Sequence, residues 1–161
     1  MQFHGFVLIP LAVLLALTGC THAGNGPTAP TVTAIEEWSV VMNNDTSNQG
    51  RETLTQSSDG SITVQGRWEF VQQGIALHCP FSSGTAHIAD TAISLEISGT
   101  ATYTGAPPGY QTAPFTLSAP GVAHNGVSHG TFSITYAAAG WPPAVHGTFA
   151  AVRSSGGGIT R

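Results

Sequence analysis

Ser128-His129-Gly130-Thr131-Phe132-Ser133-Ile134-Thr135-Tyr136 is followed by Ala137-Ala138-Ala139-Gly140-Trp141-Pro142-Pro143. Then comes Ala144-Val145-His146-Gly147-Thr148-Phe149-Ala150-Ala151-Val152-Arg153, so one phrase is stated twice. The tetrapeptide beginning at His129 returns at His146, and each copy opens a run of alternating residues. Pro142-Pro143 cannot continue a central strand and Gly140 permits a sharp reversal, so the stretch reads as strand, loop, strand. Side chains on a strand alternate between faces. Gly130, Phe132, Ile134 and Tyr136 therefore share one face with Gly147, Phe149 and Ala151 of the second copy. His129, Thr131, Ser133 and Thr135 share the other with His146, Thr148 and Ala150. The apolar face is the buried one. A loop centred near Gly140 predicts that Phe132 faces Phe149 across the ladder, an aromatic pair worth roughly 0.2–1 kcal/mol. Each glycine precedes its ring by two residues on the same face, which leaves room for a neighbouring ring or a bend.

The same grammar extends upstream. Ile62, Val64, Gly66, Trp68 and Phe70 alternate with Thr63, Gln65, Arg67 and Glu69. Ile93, Leu95, Ile97, Gly99, Ala101 and Tyr103 alternate with Ser94, Glu96, Ser98, Thr100, Thr102 and Thr104, a long strand for a small domain. Trp38, Val40 and Met42 mark the first strand. Asn43 to Gly50 reads as a polar loop, Arg51 to Gln56 as a short weak strand, and Asp59-Gly60 as a hairpin turn. Ile75, Leu77 and Cys79 form the next inward face, with His78 opposite; Gly84 to Ala89 is a short strand. Gly105-Ala106-Pro107-Pro108-Gly109 breaks the long strand, and Phe115 and Leu117 mark its return. No stretch has helical period. The expectation is all-β: an antiparallel meander of about eight or nine strands forming a closed or nearly closed β-barrel, with a β-sandwich as the alternative.

The other informative stretch is the N-terminus. Phe6 to Leu17 is an apolar run too short to span a bilayer as a helix, and it ends in Leu17-Thr18-Gly19-Cys20. That tetrad resembles the lipobox of bacterial lipoproteins. The resemblance implies that residues 1–19 are a signal peptide, and that Cys20 carries a diacylglycerol anchor and, with it, palmitate. Residues 20–33 then read as the lipidated cysteine and a Gly/Pro-rich flexible tether, with a reach of roughly 20 Å. In a Gram-negative cell, Thr21, where an aspartate would retain a lipoprotein at the inner membrane, implies the outer membrane. Residues 34–153 are expected to form a single β domain and residues 154–161 a flexible tail.

Composition narrows the function classes. The net charge is −4, lysine is absent, and four arginines face eight acids with no basic cluster. That balance argues against nucleic acid and against electrostatic docking on anionic lipid. Cys79 is the one cysteine besides Cys20; its inward parity suggests a buried, inert thiol. His124 and His129 lack the spacing of a helical zinc motif, and His129 and His146 lie on the outer face. His78 and His87 are outward by parity and close if a hairpin joins their strands. Exposed polar histidines are the simpler reading, so no metal or cofactor is assigned. No Gly-x-Ser-x-Gly elbow is present, Glu69 and Glu96 face outward, and Glu36 and Glu37 lie on opposite faces. Nothing proposes a catalytic residue.

The inward aromatic residues are Trp38, Trp68, Phe70, Tyr103, Phe115, Phe132, Tyr136 and Phe149. Such residues either fill a closed sheet or wall a pocket. In architecture alone the domain is similar to lipocalin-type barrels, although their early Gly-x-Trp signature is missing. Two expectations follow. One is a non-catalytic envelope lipoprotein whose barrel binds a small apolar ligand or a partner protein. The other is a structural or surface-interaction lipoprotein with a packed interior, no ligand, and an exposed aromatic patch around Tyr110 and Trp141.

Overall fold

Alternating apolar positions, interrupted by Gly, Asn, Asp and Pro, give nine strands and no helix among the described residues. The computed structural model describes residues 29–72, 75–142 and 144–160. The strands are β1 (Val32–Met42), β2 (Asp45–Ser57), β3 (Ile62–Gln72), β4 (Ile75–Phe81) and β5 (Ser83–Ala89). They continue with β6 (Ala92–Tyr103), β7 (Thr112–His124), β8 (Val127–Tyr136) and β9 (Ala144–Gly157). The signal segment, Leu17 to Cys20 and most of the expected tether lie outside the described residues.

Every ladder is antiparallel, and the sheet closes on itself: β1 pairs with both β2 and β9. Eight strands complete the ring in the order β1-β2-β3-β4-β6-β7-β8-β9. The short β5 is additional to the eight. It follows β4 after Ser82 and pairs with β3 and β6, the two neighbours of β4, so it prolongs that stave. A single closed ring leaves no place for two facing sheets, and the fold is a barrel rather than a sandwich.

Three sequence expectations need correction. The polar stretch after Met42 is not a loop to Gly50. Asn43 and Asn44, at φ 56° and 54°, make a two-residue turn, and β2 starts at Asp45. Its first half was hidden and Arg51 to Gln56 read only weakly because the inward positions are Asn48, Gly50, Glu52, Leu54 and Gln56, only one of which is a large apolar residue. The second correction concerns the tail. Ser155, Gly156 and Gly157 pair with Glu37, Glu36 and Ile35, and Ile159 is 7% exposed within the core. The Thr160 amide donates to Gln56 Oε1 at 3.0 Å, so the C-terminal segment plugs one end of the barrel. Likewise, β1 begins at Val32, two residues inside the expected tether.

The third correction concerns the repeated hairpin. Phe132 faces Gly147 and Phe149 faces Gly130. Thr135 pairs with Ala144, so the loop is centred between Ala139 and Gly140; moving the centre by one residue slides the pairing by two. An even slide keeps every side chain on its face. The register places each ring over the glycine of the other copy. A Cβ at Gly147 would stand 2.7 Å from Phe132, and one at Gly130 would stand 2.9 Å from Phe149. Trp68 lies over its cross-strand partner Gly50, and Phe115 over Gly99, in the same way. Glycine admits the ring, and the ring covers the backbone that glycine exposes.

These rings reach across the lumen. Trp68 of β3 meets Phe132 of β8 edge-on at 5.4 Å between centroids, and Phe70 meets Phe132 at 5.7 Å. Strands β3 and β8 stand four places apart in either direction round the ring of eight. Aromatic contact between diametrically opposed staves means that the barrel is filled at this level, as eight-stranded barrels of this width allow.

Candidate binding site

The two ends of the barrel differ. At one end the chain enters at Val32, the β2–β3, β5–β6 and β7–β8 turns are tight, and Ile159 closes the opening. At the other end lie the Asn43-Asn44 turn and two longer connections, residues 104–111 and 137–143. The first connection is tied down by Tyr110 N donating to Pro107 O at 3.0 Å, and by Tyr103 N donating to Gln111 O at 2.8 Å. Ala137 N donates to Pro114 O at 2.9 Å and anchors the second. The Tyr110 ring rests on Gly140, which has φ 82° and leaves no space for a Cβ. Only glycine serves there, both for its backbone and for its missing side chain.

Between these connections lies an apolar cleft of about 220 Å³. Tyr103, Tyr110 and Trp141 wall it, Leu77 and Val145 line it from the barrel, and Ala106, Pro107 and Pro142 contribute from the connections. Trp141 stacks obliquely on Tyr136 at 5.0 Å and on Tyr103 at 5.8 Å, so its indole joins the core to the cleft. Its Nε1 is buried without a hydrogen-bond partner. Tyr110 is the exposed member, at 46%. Among the described residues no charged side chain lines the cleft.

Beneath it, the Tyr136 hydroxyl also lacks a partner of good geometry, the Cys79 thiol being the polar group that it faces. Burial pushes that thiol up to about 12, against the opposing influence of Tyr136. Burial, reinforced by Cys79, raises the Tyr136 hydroxyl as well. Both groups are neutral at physiological pH and so are poorly suited to nucleophilic chemistry.

Of the inward aromatic residues named from the sequence, Trp38, Trp68, Phe70, Phe115, Phe132, Tyr136 and Phe149 are buried in the core. Tyr103 is half-buried and belongs to the cleft. Sequence parity brought none of them to the cleft as a group, because Tyr110 and Trp141 lie in connections to which alternation does not apply. The histidines stay apart. His78 pairs with Thr102 and stands 3.5 Å from Glu69, while His87 pairs with Ser94 further along the same line. No hairpin joins their strands: β4 continues into β5. Among the described residues no three His, Cys, Asp or Glu side chains gather as a metal site.

Two carboxyl groups inside the barrel were not singled out by sequence. Glu36, 1% exposed, accepts from Trp38 Nε1 at 3.2 Å and from Arg153 Nη1 at 2.9 Å. Glu52, 5% exposed, accepts from Trp68 Nε1 at 2.5 Å. Burial pushes Glu52 up to about 7, and the Trp68 hydrogen bond only partly opposes it. The available signal was parity: Glu36 lies two positions before Trp38, and Glu52 two before Leu54. An outer concavity of about 320 Å³ near Arg51 and Thr53 touches the Glu52 position, but the carboxyl points inward to Trp68. Neither carboxyl lines the cleft, so the arrangement offers a packed scaffold with a neutral aromatic cup and no acid–base pair facing it. Comparison with protein-family models, curated proteins and solved structures found no match.

Proposed function

We propose that this chain is a non-catalytic, lipid-anchored envelope protein whose barrel is a packed scaffold and whose loop end binds a small, neutral, apolar group on a ligand or partner protein. The contact between Trp68 and Phe132 from opposed staves carries the reading. It leaves no lipocalin-like chamber at mid-barrel and so supports a binding surface at the end, where the described lining of an aromatic cleft carries no charge. The anchor part rests on Leu17 to Cys20, the outer-membrane assignment on Thr21, and both fit the topology. The chain enters the barrel at the plugged end, so a tether from Cys20 would present the cleft away from the membrane. The exposed Val32, Ile35, Val127 and Val152 cluster toward that plugged half, apolar surface of a kind that tolerates a nearby bilayer.

Labelled palmitate is expected to enter the full chain in a bacterial host and not its Cys20→Ser variant; equal labelling of both would refute the anchor. Native mass spectrometry of the chain isolated from its own host is expected to show a bound neutral species or partner. Tyr110→Ala should release it. Retention unchanged in that variant would remove the cleft from the proposal.

A further inference from the structure

Charge is distributed unevenly round the ring. The consecutive staves β7, β8 and β9 hold one residue among Asp, Glu, Lys and Arg: Arg153, which engages the buried Glu36 at 2.9 Å. The exposed charges of the other staves are Glu37 on β1, Asp45 and Arg51 on β2, Arg67 on β3 and Glu96 on β6. At the plugged end the uncharged wall is apolar. Val152 of β9 and Val127 of β8 face each other across the ladder, and Val122 of β7 is the diagonal neighbour of Val127. They are 56%, 49% and 43% exposed. His129 lies opposite both Val122 and Ala150, so no carboxylate, ammonium or guanidinium interrupts the patch. The charges that border it are acidic. Glu37 stands two residues before the β1 partner of Val152, and Asp90 two before the β6 partner of Val122. Single exposed valines are ordinary, but adjoining ones with a polar rim mark an interaction surface.

The route of the chain indicates what covers this patch. Cys20 lies twelve residues before Val32, a coil reach of roughly 20 Å, shorter than β1 itself at roughly 36 Å. The chain enters the barrel at the end where the β7–β8 turn lies, and Val122 and Val127 flank that turn. A tether this short holds the plugged end beside the bilayer at high effective concentration, so weak contacts suffice to set its orientation. A leaflet containing anionic lipid repels the acidic arc from β1 to β6 and leaves the wall from β7 to β9 indifferent. Resting on the reading of the chain as lipid-anchored, we propose that Val122, Val127 and Val152 form a membrane-contact site. It seats the barrel on the headgroup region of the bilayer that carries the anchor. The valines enter the interface, and the exposed cross-strand hydroxyls of Thr131 and Thr148 meet the headgroups above them. The barrel leans on this side, and its loop end points away from the bilayer.

The test places a nitrobenzoxadiazole label on the full chain, made in a bacterial host and reconstituted in phosphatidylcholine vesicles. Val127→Cys and Val152→Cys carry the label on the wall; Thr63→Cys carries it on β3, the stave opposite β8. Cys79 is buried and Cys20, on this reading, is blocked by its lipid thioether, so neither takes up label. Thermal unfolding confirms that each variant remains folded. Lipid bearing a nitroxide near the headgroup is expected to quench the labels at 127 and 152, and aqueous iodide the label at 63. Val122→Asp should abolish the nitroxide quenching at 152 while the chain still floats with the vesicles. If the chain floats but the wall labels answer to iodide alone, the contact is overturned and the anchor stands. If the chain does not float and Cys20 takes up label, the anchor and the contact both fall. Wall labels shielded from iodide yet untouched by the nitroxide would assign the wall to a second copy of the chain and overturn the proposal. Equal nitroxide quenching at position 63, or quenching at 152 that Val122→Asp leaves unchanged, overturns it as well.

Discussion

Glu52 makes the stability of this barrel depend on pH in an unusual direction. Its carboxyl is enclosed beside Trp68, and burial pushes it from an ordinary value of 4.5 up to about 7. Between those values the folded chain keeps a proton that the unfolded chain releases. Stability is then fully present below about pH 4.5 and is lost as pH rises toward about 7. Two and a half units at about 1.4 kcal/mol each give a loss of about 3 kcal/mol across the window. For a domain of this size that corresponds to a fall in Tm of about 10 °C. Glu52→Gln isolates the effect, because a carboxamide oxygen can still accept from Trp68 Nε1 but cannot ionise. Whatever else contributes to the pH dependence is common to both proteins, so the informative quantity is the difference between them. Urea unfolding at half-unit steps from pH 4 to 8 should show the wild-type midpoint falling relative to that of Glu52→Gln. Parallel curves would refute the reasoning, because they would mean that Glu52 is equally ionised in the folded and unfolded chains.

Two further outcomes follow from the packing. Phe132→Ala and Phe149→Ala should each cost about 3–5 kcal/mol by urea unfolding. A double-mutant cycle should show coupling, since both rings contact Trp68, at 5.4 and 6.2 Å. His129→Ala and His146→Ala, at exposed positions, should change stability by less than about 0.5 kcal/mol, and a larger loss from them would invert the face assignment. Cys79, fully buried with its thiol pushed up to about 12, should react with a maleimide only on unfolding, and rapid labelling of the folded chain would contradict its place in the core.

Much of the architecture was written in the sequence because strand periodicity is local. In the β6, β7 and β8 stretches an apolar side chain recurs at every second residue, and alternation assigns faces whatever the partner strand is. Cys79 inward and His129 outward follow from that alone. Where the inward residues are polar the rule weakens: the stretch around Asn48 reads as a loop, and the one holding Glu52 and Gln56 only as a short, weak strand. These residues are tolerated inside because distant groups satisfy them: Val71 N donates to Asn48 Oδ1 at 2.8 Å, Trp68 to Glu52, and Thr160 to Gln56. The tail was illegible for the same reason, since three glycines specify no contact until Ile159 reaches the core. The pairing register was also beyond the sequence, which offered Phe132 against Phe149; the close approach of ring and glycine selects Phe132 on Gly147. The cleft lies furthest from local rules. Tyr103, Tyr110 and Trp141 belong to three different segments, and closure of the barrel brings them together. Local alternation determined which residues face inward; the closed ring alone decided that the interior is filled and that the apolar opening lies at the loop end.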